Sequence, residues 1–369
     1  MRKENKQVLF NNFTFKSNKF QHIDDFENSF LIIKDVVSDR LYGDLKIDSD
    51  PWLSVLIPTY QRRELFAQAL TSVLSQKPVT YCWEVLVVDN TPADDMGTTP
   101  ALEVIRETGD PRVIYYHNQE NIGSGYNWNR GVELARGTWV CFLHDDDLLC
   151  PDALQNIGRQ LSAYRGKRPL GFLHSRVIEF MDSFVPPPSK HFPPERLSRF
   201  GVMLSGCTGA GAPTCGTTIL KKAYLEVGGI NYDYGGSADM VICYQIMRDY
   251  GVVCSDRVLG GYRWNDNETL KKDVLLQLIQ TDELLSRYTY TKSAFAAWWG
   301  RVFGAASSWR NVYRKQKTAN EYGVAVTKKD FSDVVAYPEP SWIKKNLFLA
   351  IYAFYRVLRL IDGWITAII

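Results

Sequence analysis

The feature that most constrains this chain is a repeated alternation of short apolar runs with amphipathic stretches between Trp52 and Leu143. Leu53–Ile57 reads as a buried strand, stopped by the Pro58-Thr59 turn signal. Leu65, Phe66, Ala69, Leu70, Val73 and Leu74 then recur at helical spacing, which predicts a helix from about Arg63 to Gln76. Glu84–Val88, Val113–Tyr116 and Thr138–Leu143 read as further strands. A helix follows the Asn121-Ile122-Gly123-Ser124-Gly125 turn and runs to about Ala135. Such alternation builds a mostly parallel sheet buried on both faces. Ligands of these sheets sit at the carboxyl ends of the strands, where the strand order reverses. Asp89 and the run His144-Asp145-Asp146-Asp147 both stand at such ends, so one crevice is expected to unite them.

Downstream, Pro151 opens a helix with Leu154, Ile157 and Leu161 on one face, and Leu170–Phe180 reads as a strand. A proline-rich excursion over 181–200 and a small-residue segment, Ser205–Pro213, come before a strand near Thr217–Leu220. A short helix closes at Gly228-Gly229, a left-handed cap. Ala238–Tyr250 is expected to be helical, Val252–Ser255 and Val258–Arg263 to be strands, and the pattern is helical from Leu270 on. The expected division is an N-terminal extension over 1–50, an α/β domain over 51–265 and a helical region over 266–369.

With 43 basic against 41 acidic side chains the net charge is +2, which gives no support to a nucleic-acid partner. The seven cysteines include no C-x-x-C pair, so buried free thiols are expected rather than a zinc knuckle. Val8, Leu9 and Phe10 are too short an apolar run for a signal-peptide core, so a cytoplasmic catalytic part is expected.

The acidic run carries the chemistry. A diphosphate brings its own negative charge and needs a divalent cation across its oxygens more than it needs a general acid. Carboxylates on a loop at a strand end supply oxygen ligands for Mn²⁺ or Mg²⁺. Three adjacent Asp can also be a solvated turn, but here an apolar strand precedes them and Leu148-Leu149 follows. Like charges in such a place repel unless a cation is present.

The segments Ser54-Val55-Leu56-Ile57-Pro58-Thr59-Tyr60-Gln61-Arg62, Ala69–Gln76 and Val87-Val88-Asp89-Asn90 together resemble the opening of family 2 glycosyltransferases. So do Asn121-Ile122-Gly123, Asn129-Arg130-Gly131, Ala135-Arg136-Gly137 and the stretch Phe142–Pro151. The resemblance is dense over about 52–160 and thinner over 205–265. It implies a GT-A fold, a nucleotide-diphosphate sugar donor, a divalent metal and inversion at the anomeric carbon.

Carried over by position, Pro58, Tyr60 and Arg62 would line the nucleotide pocket with Asn121, Gly123, Asn129 and Asp145, and Asp89 would hold the base. Asp146 would hold the metal. His144 stands where many members have the first Asp of the D-x-D motif, so His144 is a ligand, Asp145 takes part, or Asp146 carries most of the binding. Arg263 could meet the diphosphate, and Asn265 falls near a place where relatives put a histidine beside the metal. Bland readings stand beside these. Asp89 could end its strand by bonding turn amides, and Asn121 and Gly123 could form only a turn.

Inversion by direct displacement needs a base for the acceptor hydroxyl. The resemblance puts it at Asp239, where Ala238 replaces the usual Glu; a residue favoured by the helix dipole is the alternative. Gly209, Gly211 and Trp264 are candidate acceptor contacts. In Ser341–Ile369 the longest uncharged stretch, Asn346–Tyr355, is too short to span a bilayer. At ~100° per residue its five charged residues gather in a sector of roughly 120°, the pattern of a helix lying in a membrane interface. Packing of this helix on its own domain or on a homodimer partner is the alternative. A peripheral site on the cytoplasmic face of the inner membrane would suit a polyprenyl-diphosphate-linked saccharide acceptor. The expected role is assembly of an O-antigen or capsule type polysaccharide, with UDP as the favoured nucleotide. A metal-dependent phosphohydrolase or nucleotidyltransferase, and a non-catalytic carbohydrate-binding scaffold, are the competing classes.

Overall fold

A computed structural model describes residues 28–44, 50–188, 192, 195–196, 215–231, 234, 238–264 and isolated positions between 271 and 357. Along the chain these form α1 (Phe30–Ile33), β1 (Ser38–Tyr42), β2 (Leu53–Thr59), α2 (Arg63–Leu74), β3 (Trp83–Asp89), α3 (Pro100–Thr108) and β4 (Val113–Asn118). There follow α4 (Ser124–Leu134), β5 (Trp139–Phe142), β6 (Leu148–Leu149), α5 (Ala153–Ser162), β7 (Leu170–Phe180) and β8 (Glu195–Arg196). The last are β9 (Thr218–Leu220), α6 (Lys221–Glu226), α7 (Ala238–Asp249) and β10 (Gly251–Arg263).

All the strands join one sheet in the order β1-β4-β3-β2-β5-β9-β7-β10-β6, with β8 on β10. The block β4-β3-β2-β5 is parallel, as the alternating pattern predicts. Beyond β5 the sheet is mixed: β9 runs antiparallel to both β5 and β7, while β7 and β10 are parallel. Its strands are apolar on both faces. Leu56, Leu86, Val88 and Ile114 face one core with Trp128, Tyr224 and Val241, from α4, α6 and α7. Val55, Ile57, Val85, Val87 and Tyr115 face the other, with Phe66, Leu102 and Leu154 from α2, α3 and α5.

Two expectations are corrected here. Val252–Ser255 and Val258–Arg263 are one strand, β10, because Ser255-Asp256-Arg257 only shifts the register between Cys254 and Val258. The Ser255 hydroxyl serves that bulge locally, donating to the Arg257 carbonyl at 2.8 Å. The sheet also begins before residue 51. β1 pairs antiparallel with β4 from within the expected extension, and Ile33 and Val36 pack on Ile122 and Tyr126. The predicted cap at Gly228-Gly229 is present, with φ of 84° and 77°. The small-residue segment, Asn265 and most of the C-terminal region lie outside the described residues.

The motif residues around α4 have packing reasons. A Cβ at Gly131 would collide with the Leu56 side chain, so glycine lets α4 lie close on β2. A Cβ at Gly137 would meet the Ser54 amide nitrogen at 2.5 Å. Arg136 pairs at 2.7 Å with Glu84, which is buried and also bonded by the Ser54 hydroxyl at 2.6 Å. Gly131→Val is expected to overpack this contact and cost about 1–3 kcal/mol, measured as a lower urea midpoint at unchanged slope.

Candidate active site

In the parallel block the chain adds β3 and then β4 on one side of β2, and returns to place β5 on the other. Strand order therefore reverses beside β2, and the loops leaving β2 and β5 flank the crevice that this topology opens. Tyr60, Gln61 and Arg62 leave β2, and His144–Asp147 leave β5. β10 is parallel to β7, with Arg263 opposite Phe180, and ends on the same edge of the sheet.

Hydrogen bonds from several elements set the acidic loop. Asp145 accepts from the Thr59 hydroxyl at 2.9 Å and from the Tyr60 amide at 3.4 Å. The Asp147 amide donates to the His144 carbonyl at 3.2 Å, which makes the loop a tight turn. Behind it, Ser72 lies in the last turn of α2 and Gln76 just beyond the helix end. The Ser72 hydroxyl accepts from the Leu149 amide, while Gln76 bonds the Cys150 carbonyl and the Leu154 amide. The helix motif Ala69–Gln76 thus fixes the chain immediately after the acidic run.

Charge in this loop is dense. Arg62 reaches Asp146 at 2.5 Å and Asp145 at 3.4 Å. Asp145 is nearly buried, and burial together with the Asp146 charge pushes its carboxyl up to about 6, against the opposing pull of Arg62. Burial and Asp146 push Asp147 well above the usual carboxylate range. Burial holds the His144 imidazole below its ordinary value and so favours the neutral ring, with Asp146 opposing. That is the protonation state in which histidine binds a metal.

His144, Asp146 and Asp147 offer donor atoms that all lie within 4.8 Å of one another. Asp147 was not among the residues picked from the sequence as metal ligands. Its Oδ1 accepts from the Arg263 amide at 2.9 Å, yet its fully buried Oδ2 has no hydrogen-bond partner. A buried, unpartnered carboxylate oxygen beside an imidazole and a second carboxylate fits a divalent cation. The signal in the sequence was the third Asp of the run, which became informative only once its side chain proved to be buried.

The other expected residues divide. Pro58 is the penultimate residue of β2, Tyr60 and Arg62 follow the strand, and Tyr60 is exposed. Asn121 and Gly123 form a turn, with the Asn121 side chain accepting from the Gly123 amide at 2.9 Å. Three further residues have their polar atoms bonded within the protein. Asp89 is fully buried, and its oxygens take the Thr91 amide, the Thr99 hydroxyl and the Tyr115 hydroxyl, so it organises the turn and the start of α3. Asn129 is also fully buried. It bonds both the carbonyl and the amide of Ile230 and accepts from the Tyr224 hydroxyl, which ties α4 to the chain after α6. Arg263 is 6% exposed and braces the loop from within. Its Nε donates to the Asp146 carbonyl at 2.7 Å, its Nη2 donates to Gln68, and its guanidinium lies over Phe180.

Trp264 follows Arg263 and meets Tyr262 edge-on at 5.8 Å. Asp239 opens α7, where its carboxylate accepts from the Met240 amide at 2.7 Å. Gly209, Gly211 and Asn265 lie outside the described residues.

Residues 54–229 match the model of glycosyl transferase family 2, a span that contains the acidic loop and the helix α2 behind it. Over these residues the chain is similar to family 2 glycosyltransferases. Its fold is GT-A, shared with S. aureus TarS 1–349 solved with UDP-GlcNAc, at a TM-score of 0.54 and 14% identity over 76% of this chain and 79% of that one. The succinoglycan biosynthesis protein ExoO of Rhizobium meliloti is 36% identical over 111 residues, 30% of each chain. The GalNAc(5)-diNAcBac-PP-undecaprenol beta-1,3-glucosyltransferase of Campylobacter jejuni is 34% identical over 108 residues, 29% of this chain and 33% of that one. The chain spans about a third of the length of the curated relatives it matches.

Asp147→Asn removes a buried charge while keeping an acceptor for the Arg263 amide. The protein is expected to gain about 1 kcal/mol in metal-free buffer from that change. The variant should also lose any rise in melting temperature that Mn²⁺ gives the parent protein. Thermal melts of both proteins with EDTA and with Mn²⁺ check both statements.

Proposed function

We propose that this chain is an inverting glycosyltransferase that moves a hexose or N-acetylhexosamine from a nucleotide-diphosphate sugar to a hydroxyl of a saccharide acceptor. The observation that carries this reading is the His144, Asp146 and Asp147 donor cluster at the strand-order reversal of a family 2 domain. These three residues would hold Mn²⁺ or Mg²⁺, whose charge neutralises the diphosphate as it leaves. Pro58, Tyr60 and Arg62 line the nucleotide side, with the Asn121-Ile122-Gly123 turn at the end of β4. UDP is the favoured nucleotide, and TarS, of the same fold, was solved with UDP-GlcNAc.

Asp239 takes the proton of the acceptor hydroxyl as the oxygen bonds to the anomeric carbon. The bond from that carbon to the diphosphate breaks on the opposite face, which inverts the centre. Trp264 presents an aromatic face for the acceptor sugar, with Gly209 and Gly211 as further contacts and Asn265 beside the metal.

The acceptor is a polyprenyl-diphosphate-linked saccharide in polysaccharide assembly. The Campylobacter relative, by its name, acts on an undecaprenol-linked chain, and the Rhizobium relative belongs to succinoglycan biosynthesis. A peripheral position on the cytoplasmic face of the inner membrane accords with the C-terminal pattern. Trp342, Ile343, Leu347, Leu349 and Val357 are exposed there, and no helix among the described residues is long and apolar enough to cross a membrane.

Calorimetric titration with UDP, GDP, dTDP and CMP, with and without Mn²⁺, is expected to give Mn²⁺-dependent binding of one nucleotide that Asp146→Ala abolishes. Absence of binding under every condition would overturn the transferase reading. With donor and acceptor supplied, Asp239→Asn is expected to lower kcat by about 10²-fold or more with nucleotide affinity unchanged. Flotation with anionic vesicles tests the membrane assignment. The intact chain should float, and a chain ending at Pro340 should stay at the bottom.

A further inference from the structure

Two arginines face the acidic loop, and their surroundings differ. Arg263 is buried and held by the Asp146 carbonyl, Gln68 and Phe180, so moving it would break the loop. The Arg62 side chain is one-third exposed, and its contact with the loop is an ion pair to Asp146 and Asp145. Its backbone is anchored, and about a third of its side chain reaches solvent. Gln61, just before it, has φ of 55° and donates its amide to the Thr91 hydroxyl at 2.8 Å, and Arg62 caps α2. Among the described residues Gln61 is the one non-glycine residue with positive φ. This fixes where the Arg62 side chain departs at the mouth of the crevice.

The Asp146 carboxylate is therefore claimed twice. It belongs to the donor set formed with His144 and Asp147, and it is ion-paired with Arg62 at 2.5 Å. A guanidinium and a divalent ion drawn to one carboxylate repel each other. A diphosphate changes that balance, because it offers the guanidinium paired oxygens in the geometry it prefers and brings negative charge to the ion as well.

We propose that Arg62 is the resident counter-cation of Asp146 in the nucleotide-free protein, and that a bound diphosphate admits the divalent ion by drawing Arg62 off that carboxylate. The inference rests on the metal–diphosphate reading above. Its consequence is reciprocal coupling: nucleotide raises metal affinity, and metal raises nucleotide affinity by the same factor. Arg62 is the residue that carries this coupling, so the metal site takes free ions only weakly until donor is present.

The test is titration of the full chain with Mn²⁺, followed by the electron paramagnetic resonance of free Mn²⁺, with and without UDP. The proteins compared are the parent, Arg62→Gln, Arg62→Lys and Asp146→Asn, each checked for folding by its melting curve. The parent is expected to take up Mn²⁺ weakly alone and about tenfold more tightly with UDP. Arg62→Gln should bind Mn²⁺ alone about tenfold more tightly than the parent and gain little from UDP, whereas Arg62→Lys should stay close to the parent. Equal Mn²⁺ affinity of parent and Arg62→Gln without nucleotide, with uptake lost in Asp146→Asn, overturns the role of Arg62 and leaves the metal site standing. That comparison does not depend on which base the protein prefers. Failure of every protein to take up Mn²⁺ even with nucleotide overturns the metal reading and this inference together.

Discussion

Neighbouring carboxylates taken out of water cost free energy unless donors or cations are brought to them, and the placement of much else in this domain follows from that need. Asp145 and Asp147 are buried on either side of Asp146. Thr59 and the Tyr60 amide satisfy Asp145, the Arg263 amide satisfies one oxygen of Asp147, and Arg62 neutralises Asp146. These partners come from the β2–α2 junction and from β10, so the loop holds its shape only if the sheet brings these two distant segments to its edge. What stays unsatisfied is Asp147 Oδ2. A fold that pairs every other oxygen it buries in this loop and leaves that one bare is strained where a cation would relieve it.

The sheet achieves this by its order. Had β5 been added beyond β4 instead of beside β2, the acidic loop would lie three strands from Thr59 and Arg62. β1 and α1 reinforce the far end. The Ser38 hydroxyl donates to Asn118, whose amide donates to both Asn90 and Asn127. Asn90 in turn donates to the Gly123 carbonyl, and Asn127 donates to the Val88 carbonyl. A buried amide network with most of its groups paired is rigid. It joins the segment before residue 50 to the turns after β3 and β4.

Much of this was legible in the sequence, because both faces of the central strands are apolar and the helices between them keep a clear 3.6-residue period. The strands from β2 to β5, α2, α4 and α7 fall within a few residues of their expected limits. α3 and β1 escaped notice. α3 opens with Pro100, and its helical character depends on Thr99, whose side chain accepts from the Leu102 amide as an N-cap, a signal easily taken for a loop. β1 has a mostly exposed burial pattern with no apolar alternation, so only its pairing with β4 defines it.

The site was legible to a different degree, for a reason that particular residues make plain. Position in a motif marks a residue as constrained without saying by what. Arg62, His144 and Asp146 are constrained by the charge of the acidic loop. Asp89, Asn129 and Arg263 occupy equally characteristic positions, yet each has its polar atoms committed to the protein's own backbone and side chains. They act one step removed. Asp89 sets the turn after β3, Asn129 fastens α4, and Arg263 stiffens the loop whose carboxylates face the crevice. Substituting any of them would therefore disturb ligand binding through shape, and a loss of binding alone would not distinguish them from residues that touch the ligand. Stability does distinguish them. Removing a buried, fully bonded polar side chain weakens the fold with or without ligand, whereas removing the unpaired charge of Asp147 relieves it.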